Sequence, residues 1–230
     1  LRAHEVTTHS MTLSWSPPIR LNPIKYKISF DAIKEFVDSQ GITQTQSIPR
    51  VEIILNNDIK SHTINELSPF TTYNVNVSAI PSDNSYRPPT KITVTTQMAA
   101  PQAMVQPDFY GVVNKEEIHV ILPQASEEYG PISHYYLVVV PEHKSTKQKN
   151  PDQFLTEDLL ANVKKVPEDP NLPYIAAKFP QRSIPYTFHL GTGESNDGLV
   201  NYKLQHGKRY TIFVRAVSNI FLYIIKRLRY

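Results

Sequence analysis

Cysteine is absent from all 230 residues of the chain. The sequence therefore contains no disulfide bond, no thiolate metal ligand and no cysteine nucleophile. Glycine is scarce, with 7 residues, whereas proline is abundant, with 19. Together with the many Val, Ile, Thr and Tyr residues, this balance favours strands with proline-marked ends over helices.

Long apolar runs and an excess of one charge are also missing. The longest candidate, residues 220–225, is far shorter than the roughly 18 apolar residues of a membrane span, so no span is predicted within the chain. The formal net charge is +3, from 24 basic and 21 acidic residues that are interspersed. Without a basic and aromatic groove pattern, nucleic acid is not expected as a partner.

One pattern occurs twice along the chain. Residues 73–79 and residues 210–216 each place apolar side chains at alternate positions behind a leading tyrosine, Tyr73 or Tyr210. This alternation predicts a strand with one buried face. A leucine precedes each tyrosine by the same interval, which indicates a tyrosine corner whose phenol bonds back to the preceding turn. Two corners predict two β-sandwich modules in tandem.

The remaining strand patterns divide the chain into two modules. Alternating residues around Met11–Trp15, Ile24–Phe30 and 51–55 predict a first module over residues 1–97, whose first strand is expected to be truncated. Pro101 marks the boundary because proline cannot donate to a sheet ladder. The second module is predicted over residues 98–217. Leu122 stands there at the position that Trp15 has in the first.

The second module carries two unusual segments. Residues 141–173 form a long charged insertion with one predicted short helix, for which Thr156 is the expected N-cap and Leu155, Leu159, Leu160 and Val163 the expected apolar face. Residues 132–140 are apolar on both alternating faces, and the pattern leaves open which face is inward. Residues 218–230 form an atypical tail, for which a surrogate edge strand and a truncated or aberrant sequence are the alternatives, with truncation favoured.

No catalytic, metal-binding or cofactor-binding residue is predicted. Trp15, Tyr73, Leu122 and Tyr210 are interpreted as core or corner residues. The eight histidines show no metal-ligand spacing, which indicates surface or structural roles. Asn76 lies in the sequon Asn76-Val77-Ser78, on the outward face of its strand, so it is the predicted glycosylation site if the chain is secreted. The lysines of the insertion are interpreted as a solvated loop, with a glycosaminoglycan contact as the minor alternative.

Several spaced markers of the first module resemble a fibronectin type III domain. They are Trp15 with Pro17-Pro18, the Leu67-x-Pro69-x-Thr71-x-Tyr73 corner and the closing threonine-rich strand. In the second module, the stretch from Gly130-Pro131 to Val140, the Asp158-Leu159-Leu160 helix and the stretch from Pro173 to Ala177 resemble the membrane-proximal modules of LAR-type receptor tyrosine phosphatases, insect members above all. The resemblance extends to about Val217.

That resemblance implies an extracellular, non-catalytic part of a single-pass plasma-membrane receptor that acts in cell adhesion, axon guidance and synapse formation. Its partners would be protein ligands or neighbouring receptors. The phosphatase reaction of the family requires a cysteine nucleophile, which this chain lacks, so no enzyme activity is expected here. Two alternatives stay open: a phosphatase function attributed through the parent protein, and a cytosolic adaptor built of similar sandwiches.

Overall fold

The computed structural model describes residues 1–19, 22–83, 85, 87–101, 106–181 and 183–218. Within these residues the chain forms antiparallel strands and one short α-helix, which confirms the predicted all-β class. The chain divides into two compact units. The first comprises Leu1–Ala100 with Ser126–Gly130, and the second comprises the described residues of Pro101–Ala125 and Pro131–Tyr230.

The first unit is a sandwich of two sheets. One sheet has the order β1-β2-β5 and the other the order β4-β3-β6-β7. The strands are β1 Arg2–His4, β2 Met11–Ser14, β3 Pro23–Val37, β4 Thr43–Asn56, β5 Ser61–Ile64, β6 Thr72–Pro81 and β7 Thr90–Thr95.

Alternating apolar side chains of both sheets fill the core of the first unit. Met11 and Leu13 of β2 are fully buried, as are Ile28 of β3 and Val75 of β6. Fully burying one such side chain contributes about 1.5–3 kcal/mol relative to leaving it exposed. Ile24 departs from the expected pattern, with 48% exposure, because the pairing of β3 with β6 shifts register between Pro23 and Lys25.

A long β-hairpin extends the first unit beyond the predicted strands. β3 and β4 pair from Lys25↔Asn56 to Val37↔Thr43, whereas β6 accompanies β3 only as far as Ala32↔Tyr73. The turn at the tip is closed by Asp38, whose Oδ1 accepts hydrogen bonds from Gln40 N and Ile42 N, both at 2.9 Å. The backbone bond to Ile42 is the main reason why the pKa of Asp38 lies below its ordinary value.

The second unit is also a two-sheet sandwich. Its sheets have the orders β12-β9-β8 and β11-β10-β15, and a short hairpin pairs β13 with β14. The strands are β8 Asp108–Val112, β9 Ile118–Ile121, β10 Ile132–Pro141, β11 Tyr174–Pro180, β12 Thr187–Leu190, β13 Ser195–Asn196, β14 Leu199–Val200 and β15 Tyr210–Ser218. Apart from Ser218, the atypical tail predicted for 218–230 lies outside the described residues.

Strand β10 is buried on both faces. Tyr136 pairs with Arg215, and Val138 pairs with Phe213. Arg215 Nη1 donates a 2.8 Å hydrogen bond to Thr156 Oγ1 in the insertion, and the Phe213 ring centroid lies 6.1 Å from that of Phe154. Since directly paired residues share a sheet face, Tyr136 and Val138 face the insertion. The other face, with Tyr135, Leu137 and Val139, is therefore the one that points into the sandwich.

The insertion contains a 3₁₀ turn, Pro151–Gln153, and the helix α1, Thr156–Asn162. The predicted N-cap is wrong: Leu155 occupies that position, and Thr156 is the first helical residue. Leu159 and Val163 are buried in the core cluster of the second unit. Leu155 and Leu160 are 62% and 40% exposed, because a helix this short turns only one side toward the sheet.

Candidate functional site

A tyrosine corner is present in each unit. Tyr73 Oη accepts a 2.9 Å hydrogen bond from Ser68 N, and Tyr210 Oη accepts a 2.9 Å hydrogen bond from Gln205 N. In both units the bond links a tyrosine at the start of a strand to the turn before that strand. The tyrosine is the second residue of β6 and the first residue of β15. Each phenol holds the loop that leads into its strand, so its oxygen already has a hydrogen-bond partner within the fold.

The other two marker residues lie in the two cores. Trp15 is 8% exposed, and its ring centroid lies 5.4 Å from that of Tyr26. Leu122 is 4% exposed, and its backbone N donates to Tyr186 O at 2.9 Å. Both side chains belong to hydrophobic clusters, Trp15 in the first unit and Leu122 in the second.

Asn76 lies on β6, which has a neighbouring strand on each side. It is half-buried and is paired with Ser29 of β3 and Lys91 of β7. The adjacent residues Val75 and Val77 are buried in the core, so the Asn76 side chain is on the opposite sheet face. Ser29 Oγ on that face accepts a 2.7 Å hydrogen bond from Arg50 Nη2. The sequon therefore lies on the outer face of an inner strand.

Two histidines meet on the small sheet of the second unit. His119 and His189 are paired across β9 and β12, with ring centroids 4.6 Å apart. His189 Nε2 lies 2.7 Å from Glu117 Oε2. The pKa of Glu117 is below its ordinary value, chiefly because of a hydrogen bond from the Asn114 side chain, with the His189 charge as a smaller cause. Among the described residues no group of three His, Asp or Glu side chains is placed to hold a metal ion.

The insertion and the start of β15 form a basic cleft of about 570 Å³. Lys147, Lys149 and Arg209 line it, together with the aromatic residues Phe154 and Phe213. Glu142 Oε1 lies 3.3 Å from Lys147 Nζ and offsets one of the three positive charges. The structure thus brings two of the predicted insertion lysines together with an arginine that the sequence did not group with them.

A larger open cavity of about 800 Å³ lies beside β15, and we call it the β15 groove. Its apolar lining comes from Phe109 and Val112 of β8, Ile118 of β9, and Tyr210 and Ile212 of β15. Sequence reasoning missed β8 and this groove. The signal was the apolar run from Phe109 to Val113, interrupted by Gly111, where the pairing of β8 with β9 shifts register.

No helix among the described residues is long and apolar enough to cross a membrane.

The architecture defines the class of protein. The fibronectin type III domain family matches residues 1–96, which form the first sandwich unit. Residues 1–96 are therefore a fibronectin type III domain, as predicted from Trp15 and the Tyr73 corner.

Comparison with curated proteins adds the particular relatives. The chain is 77% identical over 217 residues to the tyrosine-protein phosphatase Lar of Drosophila melanogaster, which covers 94% of this chain and 11% of that protein. It is 29% identical over 234 residues to the receptor-type tyrosine-protein phosphatase S of Gallus gallus, covering 92% of this chain and 14% of that protein. The predicted resemblance to LAR-type receptor phosphatases is confirmed.

The shares of the relatives that are covered also show how small a part of them the chain corresponds to. It spans about a tenth of the length of Lar. Residues 1–96 are a fibronectin type III domain and not a phosphatase domain, and the chain has no cysteine. Among solved structures, the chicken CNTN1 FN1-FN3 domains align with a TM-score of 0.45 at 16% identity, covering 94% of this chain and 58% of that one.

Proposed function

We propose that this chain is a non-catalytic, extracellular segment of a LAR-like receptor tyrosine phosphatase. Its role is to space a ligand-binding part of the receptor from the membrane and to offer side surfaces for contacts with other proteins. Cell adhesion, axon guidance and synapse formation are the processes that the family resemblance implies. The observation that carries the proposal is 77% identity to Lar across a chain built of two sandwich units with separate cores.

Packing supports the role of a spacer. In the first unit Met11, Leu13, Ile28 and Val75 are fully buried, and in the second Leu137, Val138, Val139 and Ile175 are fully buried. Close-packed cores of this kind resist deformation. Such units keep their own length under load without a disulfide.

A replacement experiment tests the spacer role. In the full receptor, residues 1–217 are exchanged for two unrelated fibronectin type III modules of equal length, or are deleted. A spacer predicts that the exchange preserves ligand binding on cells, whereas the deletion weakens it. Surface staining of an N-terminal tag serves as the control for export. If the exchange and the deletion impair binding equally at equal surface level, specific surfaces and not length carry the function.

Location on the outer side of the plasma membrane is part of the same proposal, and Asn76 provides its test. Chain secreted from insect cells is expected to carry an N-glycan on Asn76, visible as a mass shift that peptide N-glycosidase removes. Asn76→Gln is the matched control that lacks the acceptor. Unmodified Asn76 in secreted protein would remove the glycosylation part of the proposal, and export of the receptor would then be judged by surface staining alone.

The basic cleft supports one minor alternative, a contact with an anionic glycan. Its three cations come from two separate elements and face one opening. If the cleft binds such a ligand, Lys147→Ala with Lys149→Ala lowers the salt concentration at which the chain elutes from heparin. The pair Lys164→Ala with Lys165→Ala removes the same charge away from the cleft, and an equal effect of both pairs would indicate charge alone.

A further inference from the structure

The glycosylation sequon lies in the middle of a sheet and not in a loop. Asn76-Val77-Ser78 is the only Asn-x-Ser/Thr sequence of the chain. It belongs to β6, which is hydrogen-bonded to β3 on one side and to β7 on the other. Asn76 itself is paired with Ser29 and with Lys91. Neighbouring strands of a sheet lie about 4.8 Å apart, so the backbone of the sequon has protein directly on both sides.

The residues around Asn76 are anchored in the core of the first unit. Val75 is fully buried, and Val77 is buried as well. Tyr73, at the start of the same strand, is buried and accepts the corner hydrogen bond from Ser68 N. The sequon cannot leave both ladders unless the valines leave the core. Release of the sequon is therefore expected to require unfolding of the first unit.

The side chain of Asn76 nevertheless lies on the outer face of the sheet. Residues that are directly paired share a face, so Asn76 lies beside Ser29 and Lys91, opposite the core. Ser78 is on that face too, because side chains two positions apart along a strand point the same way. A glycan attached to Asn76 would extend away from the core and leave the pairing of β6 with β3 and β7 in place.

The folded unit thus accommodates the product of modification but not the approach of the enzyme. An enzyme that recognises the sequon has to enclose the asparagine side chain together with the hydroxyl group two residues later. Enclosure requires space along both sides of the three residues. In the folded unit β3 and β7 occupy that space.

We propose that Asn76 accepts an N-linked glycan only while β6 is unpaired, so that a competition between glycan transfer and folding of the first unit sets its occupancy. In the transfer, Asn76 Nδ2 forms a bond to the anomeric carbon of an oligosaccharide carried on a lipid diphosphate. The bond from that carbon to the diphosphate oxygen breaks, its electron pair stays with the leaving lipid diphosphate, and one amide proton passes to a base of the enzyme. This inference rests on the proposed function, because it requires export of the chain.

Glycan transfer to purified protein tests the proposal. The full 230-residue chain, produced in bacteria without glycans, is incubated with solubilised oligosaccharyltransferase and lipid-linked oligosaccharide, and the mass shift at Asn76 is followed over time. A synthetic peptide of residues 72–81 is the unpaired reference. The folded chain is expected to react at least about a hundredfold more slowly than the peptide, because only its small unfolded fraction is a substrate.

Gln40→Asn with Ile42→Thr provides a matched control in the same folded unit. Combined with Asn76→Gln, the pair moves the sequon to the tip of the hairpin between β3 and β4. Both substituted positions are exposed there. The folded control chain is expected to be modified at a rate close to that of the peptide.

Ile28→Ala and Leu137→Ala separate unfolding of the first unit from a general loss of stability. Both residues are fully buried, Ile28 in β3 and Leu137 in β10 of the second unit. Ile28→Ala should raise the rate of transfer to Asn76 by at least about tenfold, in step with the unfolded fraction that Trp15 fluorescence reports. Leu137→Ala should leave the rate at Asn76 unchanged.

Transfer to the folded chain at the rate of the peptide would overturn the proposal, and so would equal effects of Ile28→Ala and Leu137→Ala. A control chain with the sequon at the tip that reacts as slowly as the parent chain would also count against it, because pairing of β6 would not be the cause. If the peptide itself is not modified, the glycosylation part of the proposed function fails together with this inference. The spacer role is judged separately, by the module exchange in the receptor.

Discussion

One phenol hydrogen bond closes the turn of each unit, but the two bonds lie in different surroundings. The bond from Ser68 N to Tyr73 Oη is partly buried and Tyr73 is 1% exposed, whereas the bond from Gln205 N to Tyr210 Oη is exposed. A buried donor that loses its partner costs about 1–3 kcal/mol, while an exposed one is satisfied by water. The hydrogen bond to Tyr73 is thus expected to contribute more to the stability of its unit than the hydrogen bond to Tyr210.

Tyr73→Phe and Tyr210→Phe form a matched pair that tests this difference. The first is expected to lower the free energy of unfolding of its unit by about 1–2 kcal/mol and the second by less than about 1 kcal/mol. Urea unfolding read by Trp15 fluorescence measures the first unit, and hydrogen exchange of β10 amides measures the second. Equal losses would show that solvent exposure does not set the value of the bond.

Lys34 is a buried cation in the first unit. It is 4% exposed, and its Nζ donates to Pro69 O at 2.9 Å. Pro69 O also accepts from Thr71 Oγ1 at 2.8 Å. Burial lowers the pKa of Lys34, against a smaller opposing effect of the Glu128 charge. The unfolded chain then binds more protons than the folded one between the lowered pKa and the ordinary value of 10.5, so stability rises with pH across that interval.

Lys34→Met is expected to remove this rise. At pH 7 the variant should lie within about 1 kcal/mol of the parent chain, because Thr71 still satisfies Pro69 O and methionine fills similar space. As the pH rises from the lowered pKa of Lys34 toward 10.5, the parent should gain stability relative to the variant, in urea unfolding followed by Trp15 fluorescence. A parallel pH dependence of the two proteins would contradict the assigned role of the buried amine.

At the scale of elements, the alternation of apolar residues predicted the strands of the sandwiches better than the segments that pack around those strands. The alternation around Tyr73 and Tyr210 identified β6 and β15, and Asn196-Asp197-Gly198 identified a tight turn in which Asp197 and Gly198 have φ of 51° and 75°. The outer half of β4 was missed because Thr43 to Ser47 is polar on both faces and has no apolar period. Pairing with β3, and not an apolar pattern of its own, holds this part of β4 extended.

The insertion covers the outer face of the sheet that contains β10, and the sequence of β10 did not predict this. A strand that is apolar on both faces shows that both are buried but not by what, since that depends on where a distant helix packs. The groove of the second unit escaped prediction for a related reason: the alternation of β15 predicts which face is inward, but not which strands pair with it.

Leu159 and Leu160 of α1 test the helix-covered face. Leu159→Ala is expected to lower the free energy of unfolding of the second unit by about 2–4 kcal/mol, because Leu159 is 1% exposed and its removal leaves a cavity. Leu160→Ala, at a position 40% exposed, should cost less than about 1 kcal/mol. Hydrogen exchange of β10 amides reports both. Similar costs would mean that α1 does not seal the sheet.

At the scale of the whole molecule, the described residues form two hydrophobic clusters without a common member. The first contains Trp15, Tyr73 and Val75, and the second contains Leu122, Leu137 and Leu159. The single tryptophan of the chain belongs to the first. Each cluster is large enough to support cooperative unfolding of its own unit.

Core variants of the two clusters should therefore act on different transitions. Val75→Ala is expected to lower the urea midpoint reported by Trp15 fluorescence, with a cost of about 1–3 kcal/mol for the lost methyl groups and the cavity. Leu159→Ala is expected to leave that midpoint unchanged. If both variants move it by the same amount, the chain unfolds as one cooperative system.

The hairpin tip between β3 and β4 provides a site for attaching a spectroscopic label. Gln40 is exposed, and its backbone N, but not its side chain, bonds to Asp38 in the tip turn. A thiol introduced as Gln40→Cys would be the sole thiol of this chain. A maleimide dye would then label one defined atom without the prior removal of any native cysteine, and single-molecule imaging of the labelled segment would need no background correction for other sites.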